Sequence, residues 1–154
     1  MNLINGTYEC KIDAKSRVMI PVQLKKQLVL QEGFVLKRSV FERCLELHPM
    51  KEWNVTMQKV GKLNRFVKKN LDFIRLYNAG LKEVEIDALG RLLIPKDLMA
   101  YANISKDVVI TGNVDMMEIW DKNLYEKKIA SVEDFGDLAE DVMGGINDDD
   151  NGIS

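Results

Sequence analysis

The chain has 154 residues, of which 46% are apolar and 30% are charged, an ordinary composition for a globular protein that dissolves in water. This length allows one domain of normal size or two very small ones, and it excludes a large α/β barrel. No window approaches the roughly 18 consecutive apolar residues of a membrane span, and the N-terminus lacks a basic segment followed by a long apolar one. We therefore expect a cytoplasmic protein.

Two cysteines and one histidine limit the chemistry of the chain. Cys10 and Cys44 lie in apolar, strand-like surroundings, which favours buried free thiols over a disulfide or a metal pair. His48 stands beside Pro49, so we expect it at the surface at the end of a strand, without a chemical role. A histidine-rich zinc site and most Ser-His or Cys-His catalytic arrangements lack the residues they need. We expect neither a metal nor a cofactor.

The net charge of -2 hides an uneven distribution. Residues 131–154 contain eight acidic residues and no lysine or arginine, which leaves 22 basic against 16 acidic residues in positions 1–130, a net charge of +6. The body is therefore basic and the C-terminal segment is acidic. Past Val142, the glycines and the run of aspartates predict disorder.

An internal repeat organises the sequence. When the chain is shifted by 74 positions, residues 6–24 fall over residues 80–98, and nine of these 19 aligned pairs are identical. The correspondence continues downstream, where Phe34–Leu36 falls over Val108–Ile110. Such self-similarity indicates a duplication.

Each copy predicts a strand, a corner, a second strand, a short helix and two further strands. In the first copy, the alternation of Tyr8, Cys10 and Ile12 predicts a strand that leads into a hairpin-like turn. Pro21 is expected at the first position of the short helix, as is its equivalent Pro95. The remaining predicted strands are 34–37 with 44–47 in the first copy, and 108–111 with 117–120 in the second.

The corner itself is predicted from four residues. Asp13 and Asp87 are expected to accept hydrogen bonds from nearby amides, as in Asx turns. Ser16 and Gly90 stand where a left-handed backbone conformation is expected, which glycine adopts freely and serine adopts at some cost.

Neither copy, at about 45 residues, buries enough apolar surface to be stable alone. We therefore predict a mainly β, α+β fold in which repeat 1 (residues 1–49) and repeat 2 (residues 80–130) form one pseudo-twofold barrel. Residues 50–79 predict a basic, amphipathic helical insert that begins after Pro49. Its lysines and arginines form either a solvated face or a nucleic-acid contact. A closing helix is predicted at 122–130, followed by a disordered acidic tail at 131–154.

The two corner sequences, Asp13–Pro21 and Asp87–Pro95, resemble the duplicated Asp-x-x-x-Arg signature of the MraZ family. The resemblance covers residues 3–130, although Ser16 stands where the family has glycine. It implies a duplicated AbrB-like swapped-hairpin (double-split) β-barrel with a helical insert. It also implies a transcriptional regulator of the bacterial cytoplasm and nucleoid.

The resemblance further implies that the chain forms homo-oligomeric rings. These rings would bind double-stranded DNA at tandem repeats upstream of a cell-division and cell-wall gene cluster. Carried over, the DNA contacts are Arg17 and Arg91, with Lys15 beside the first. No membrane partner and no small-molecule substrate are expected.

The residues themselves allow two interpretations of each corner. A projecting arginine offers a planar fork that suits guanine edges or phosphate oxygens. Alternatively, Asp13 with Arg17, and Asp87 with Arg91, form ion pairs that only fix the corner. The two interpretations are compatible.

The sequence also allows two functions other than DNA binding. Two aspartates in related turns are also found in aspartic-type hydrolases, where two carboxylates share a proton. Here an alanine follows each aspartate, and a nearby guanidinium would keep each carboxylate ionised, so we expect no enzyme. An AbrB-like antitoxin is the second alternative, since the acidic tail permits it, but such antitoxins generally have one repeat and no helical insert.

Overall fold

A computed structural model describes the backbone of residues 3–153 and the side chains of residues 3–146. The chain divides into two compact units, Met1–Lys122 and Asn123–Ser154. The fold is mixed α+β with antiparallel strand pairing. No helix in the described part of the chain combines the length and apolar character needed to cross a membrane.

The strands and helices follow the order that the repeat predicts. The strands are β1 (Thr7–Lys11), β2 (Arg17–Met19), β3 (Phe34–Arg38), β4 (Leu45–Pro49), β5 (Lys82–Val84), β6 (Arg91–Leu93), β7 (Asp107–Asn113) and β8 (Met116–Asp121). The helices are α1 (Val22–Lys25), α2 (Met50–Val60), α3 (Lys68–Tyr77), α4 (Lys96–Tyr101), α5 (Lys122–Ala130) and α6 (Phe135–Ile153), with a 3-10 turn at Leu30–Glu32.

The two repeats interleave. Six strands form a sheet in the order β1-β7-β8-β4-β3-β5, and β2 pairs with β6 in a separate two-stranded ribbon. Every strand pair except β3–β4 and β7–β8 joins one repeat to the other. The hairpin-like turn predicted between β1 and β2 is therefore a corner between two sheets. It is crossed by the bridge between Ile12 and Val18 and by the Asp13 amide, which donates to the Arg17 carbonyl at 2.8 Å.

Equivalent residues of both repeats meet in one core. Val18, Ile20 and Leu24 from the first repeat are almost completely buried, and so are their equivalents in the second. Each such side chain contributes about 1.5–3 kcal/mol when it leaves water. This shared core explains why two short repeats form one barrel. The second set is Leu92, Ile94 and Leu98.

The short helices begin one residue later than predicted. Pro21 and Pro95 have extended ψ angles of 139° and 147° and precede α1 and α4 as N-cap residues. The fixed φ of proline suits this position as well as the first helical one. Pro49 precedes α2 in the same way, as predicted.

The insert contains two helices, α2 and α3, because the segment from Gly61 to Val67 interrupts the helical pattern. Asn64 stabilises the interruption: its side-chain oxygen accepts a hydrogen bond from the Phe66 amide at 3.0 Å. The stacked rings of Trp53 and Tyr77, with centroids 5.7 Å apart, connect α2 to α3. The predicted apolar stripe is at most half-buried. Its members are Val60, Leu63, Val67, Leu71 and Ile74.

The C-terminal unit is helical where the composition predicts disorder. Helix α5 has the predicted bounds, but α6 extends from Phe135 to Ile153. Asp134 caps α6 by accepting the Asp137 amide at 3.0 Å. Phe135, Leu138 and Val142 follow at helical spacing and are exposed. The capping aspartate and the amphipathic spacing therefore indicate this helix, although the overall composition of the segment does not.

The histidine is buried, which corrects the prediction of a surface position. His48 is 8% exposed, although it is the second-last residue of β4. Its ring contacts Trp53 and its Nε2 lies 2.9 Å from a carboxylate oxygen of Glu46.

Both cysteines are free, as predicted, with Cys44 buried and Cys10 half-buried. Burial raises the pKa of the Cys10 thiol to about 11 and, as the main cause, that of Cys44 to about 12. Because a thiolate is the reactive form, the raised pKa values favour the less reactive thiol form at neutral pH.

Gly112 is a position where a side chain is not tolerated. A Cβ atom there would lie 2.5 Å from the carbonyl oxygen of Ile4 and 2.6 Å from the Asn5 amide nitrogen, so the N-terminal segment would have to move. We expect Gly112→Ala to lower the free energy of unfolding by about 1–3 kcal/mol, measured by urea denaturation. Gly144→Ala is the control, because its Cβ meets no atom within 4 Å. Equal stability of the two variants would contradict the close approach.

Candidate nucleic-acid interface

The first corner is held by its aspartate. Asp13 Oδ1 accepts hydrogen bonds from the amides of Lys15 and Arg17, both at 2.9 Å. Its Oδ2 accepts one from Arg17 Nε at 2.8 Å. Ser16 completes the turn with a left-handed φ of 63°. The predicted Asx turn and left-handed residue are both confirmed.

The second corner repeats this geometry. Asp87 Oδ1 accepts the Leu89 and Arg91 amides at 3.0 and 2.8 Å, and its Oδ2 accepts Arg91 Nε at 2.9 Å. Gly90 has a φ of 85°. The corresponding distances in the two corners agree within 0.1 Å, so serine builds the same turn as glycine.

The ribbon of β2 and β6 joins the two corners. Arg17 lies opposite Leu93, and Met19 lies opposite Arg91. Since cross-strand partners and residues two apart share a face, all four side chains are on one side of the ribbon. The other side carries Val18 and its partner in the core. The two arginines are therefore offset by about 7 Å along a single outer face.

Hydrogen bonds beyond the ribbon fix the corners at its two ends. The Ile20 amide donates to the Gly90 carbonyl at 2.8 Å, and the Ile94 amide donates to the Ser16 carbonyl at 2.9 Å. Each left-handed residue thus binds the strand of the other repeat, which makes the corners and the ribbon one rigid element.

The aspartates are ionised and their arginines are partly exposed. Hydrogen bonds from the amide and the guanidinium of Arg17 lower the pKa of Asp13, and those of Arg91 lower the pKa of Asp87. Such carboxylates do not share a proton, which argues against an aspartic-type hydrolase. The arginine side chains are 27% and 28% exposed. Each uses Nε for its aspartate, so the corner ion pair exists and the two Nη groups are not needed for it.

The structure adds three residues to this surface that the sequence did not indicate. Lys25, on α1, approaches the second corner: its Nζ would be 3.2 Å from a Cβ on Gly90. Met19 and Leu93 are 53% and 57% exposed between the arginines. Lys15 is exposed at the first corner, so each corner has one lysine, supplied by different elements.

Charges of the insert are partly compensated. Lys68 and Arg75 both pair with Asp72, at 2.7 and 3.3 Å, on the exposed surface of α3. This arrangement is typical of a solvated helix face. Within the residues that the structure describes, no three His, Cys, Asp or Glu side chains are grouped as metal ligands.

Comparison with known proteins gives the family. The model of the family described as "MraZ protein, putative antitoxin-like" matches residues 3–75 and 78–142, which includes both corners, the insert and the sheet. The chain belongs to the MraZ family. The predicted resemblance is therefore confirmed, and it extends past residue 130 into α6.

Individual members of the MraZ family match over most of their length. A protein of Flavobacterium psychrophilum named "Transcriptional regulator MraZ" is 66% identical, with all of both chains covered. One of the same name from Christiangramia forsetii is 58% identical over all of this chain and 99% of its own length. A third, from Clostridium tetani, is 36% identical over 88% of this chain and 93% of its own.

Proposed function

We propose that this chain is a transcriptional regulator that binds double-stranded DNA through the outer face of the β2–β6 ribbon. The observation that carries the proposal is the pair of matched Asp–Arg corners on one exposed face. The names of the relatives support regulation of transcription. A two-stranded ribbon fits the major groove, which is about 12 Å wide.

The hydrogen bonds within each corner indicate a separate role for each of its residues. Asp13 and Asp87 orient the guanidinium groups through Nε, and Ser16 and Gly90 shape the turn around them. The Nη groups of Arg17 and Arg91 then present a planar fork to a guanine edge or to phosphate oxygens. Lys15 and Lys25 add positive charge for the phosphate backbone at either end.

One ribbon makes few contacts, so we propose that affinity comes from several copies. In a ring of subunits, neighbouring ribbons engage successive repeats of a promoter, and each further contact becomes intramolecular. The proposed sites are repeats upstream of a cell-division and cell-wall gene cluster, and the proposed location is the cytoplasm, at the nucleoid.

A footprinting experiment tests this proposal. Purified full-length protein is titrated against the DNA upstream of its own gene, with a shuffled duplex of equal composition as the control. We expect protection of regularly spaced repeats at concentrations that leave the shuffled duplex free. Equal affinity for both duplexes would contradict sequence-specific regulation.

The proposal also predicts the size of the assembly. A 17.6 kDa chain that binds repeats multivalently should form a closed ring. Size-exclusion chromatography with light scattering should therefore show a species several times the chain mass at micromolar concentration. A stable monomer would contradict both the ring and the multivalent mechanism.

An antitoxin is the second candidate function. The family description supports it, and so do the exposed apolar residues of α6, which could bind a partner protein. This candidate predicts that Leu138→Glu abolishes function in cells while Arg17→Ala and Arg91→Ala retain it. A regulator predicts that Arg17→Ala and Arg91→Ala lose function and that Leu138→Glu retains it, measured in a promoter-reporter assay.

A further inference from the structure

A cavity of about 320 Å³ lies between β3 and the end of α3. Its lining is largely apolar and aromatic and includes Phe73, Leu76, Tyr77 and Tyr101. Arg38 supplies a charged group to the lining. Small-molecule sites commonly combine an apolar cavity of at least about 300 Å³ with a few polar groups.

Two guanidinium groups lie beside this cavity. The guanidinium carbons of Arg38 and Arg43 lie 4.7 and 4.6 Å from the ring centroid of Tyr101. The nearby ion pairs of β3 and β4 join Lys37 and His48 to Glu46. The two guanidinium groups thus share one aromatic ring at the edge of the cavity.

Arg38 also carries an unsatisfied donor. Its Nε is buried and has no hydrogen-bond partner among the described residues. Such a donor costs folding free energy unless a bound group satisfies it. Gly80 covers it so closely that a Cβ atom there would lie 3.1 Å from Nε.

The neighbouring lysine is satisfied and does not compete for a ligand. Lys37 is 1% exposed, with its Nζ 3.6 Å from Glu46 and 4.2 Å from the ring centroid of Tyr77. Burial lowers the pKa of Lys37. Its role is to support the aromatic wall, which leaves Arg38 as the group that faces a ligand.

The cavity lies where the two repeats differ. Gly112 stands 74 residues after Arg38, at the equivalent position of repeat 2. There the N-terminal segment packs directly on the glycine, and the Gly112 amide donates to Gly6 at 2.8 Å. In repeat 1, Arg38 stands where repeat 2 has Gly112 and its close backbone contact. Ala79 lines the space next to Arg38.

We infer that this cavity binds a small organic anion with a carboxylate head and an apolar body. The carboxylate pairs with the guanidinium of Arg38, which is a charge-assisted hydrogen bond. The apolar body lies against Phe73, Leu76 and Tyr77. The volume limits the ligand to a small molecule, such as a medium-chain or single-ring carboxylate. This site is separate from the ribbon arginines and does not depend on DNA binding.

Isothermal titration calorimetry with octanoate tests the inference on the full chain. We expect saturable binding of octanoate, and binding at least tenfold weaker for acetate, which lacks the apolar body, and for 1-octanol, which lacks the charge. Because Trp53 stacks on Tyr77, we expect a parallel change in tryptophan fluorescence. Absence of saturable octanoate binding, or equal binding of 1-octanol, would overturn the inference.

Two variants test the residues independently. Arg38→Met should weaken octanoate binding roughly tenfold or more, since a hydrogen bond to a charged group is lost. Ala79→Leu should do so by filling the space. Arg65→Met, an exposed arginine of the insert outside the lining, is the matched control and should bind as the wild type does. Thermal melts identify a variant that fails to fold. If one variant fails to fold, the octanoate affinity of the other variant decides the test.

The same titrations also test whether Arg38 binds a DNA phosphate instead of a small-molecule carboxylate. If duplex DNA displaces octanoate and Arg38→Met loses DNA affinity instead, the guanidinium is a phosphate contact and the small-molecule site is refuted. Unchanged octanoate binding by both variants would also refute it.

Discussion

Arg17→Ala and Arg91→Ala are each expected to weaken binding to the specific DNA by about tenfold to a hundredfold. An arginine fork on a guanine contributes about 1–3 kcal/mol of discrimination, and a ring repeats the loss in every subunit. The fold should survive, because the Asp13 and Asp87 oxygens keep two backbone amides each. Mobility-shift titrations at fixed salt measure the effect.

Controls separate DNA contact from a purely structural role. Arg65→Ala removes one exposed positive charge from the insert and should change affinity much less. Arg17→Lys keeps the charge but loses the fork, so it should also bind weakly if the base edge is recognised. Wild-type affinity of both alanine variants, or loss of the folded state in thermal melts, would instead assign the arginines only to the corner.

The repeat made the element order of the chain predictable. Each corner needs an aspartate that accepts local amides and a residue with positive φ, and these are local requirements that Asp13 and Ser16 display in the sequence. The closing helix α5 was predicted with its observed bounds for the same reason, since its pattern is local.

Pairing across the barrel was not predictable from local patterns. β1 and β2 alternate as a hairpin would, yet each pairs with a strand of the other repeat, because only that arrangement buries both sets of apolar residues in one core. His48 was misplaced because its ring packs on Trp53 of the insert, a contact that the position beside Pro49 does not reveal. Lys25 approaches the second corner from a helix of the first repeat, a contact that no spacing along the chain reveals.

The second large effect that we expect comes from the acidic C-terminal segment, most of whose acidic residues lie in α6 rather than in a disordered tail. Replacing its eight carboxylates by amides should tighten DNA binding several-fold at low salt. The segment is tethered to a body of net charge +6, so its charges oppose the phosphates that the body attracts. The residues are Glu133, Asp134, Asp137, Glu140, Asp141, Asp148, Asp149 and Asp150.

Salt dependence is the measurement that decides whether this effect is electrostatic. Screening shortens the range of charge interactions to about 8 Å at physiological ionic strength, so the two proteins should converge in affinity as salt rises. Asp134→Asn keeps a side-chain oxygen that can cap α6, so the helix is retained while the charge at position 134 is removed. Leu138→Ser, which changes the apolar face and no charge, is the matched control and should follow the wild type. Equal affinities of the amide variant and the wild type at every salt concentration would mean that the acidic helix only adds solubility, since a regulatory charge must act most strongly where screening is weakest.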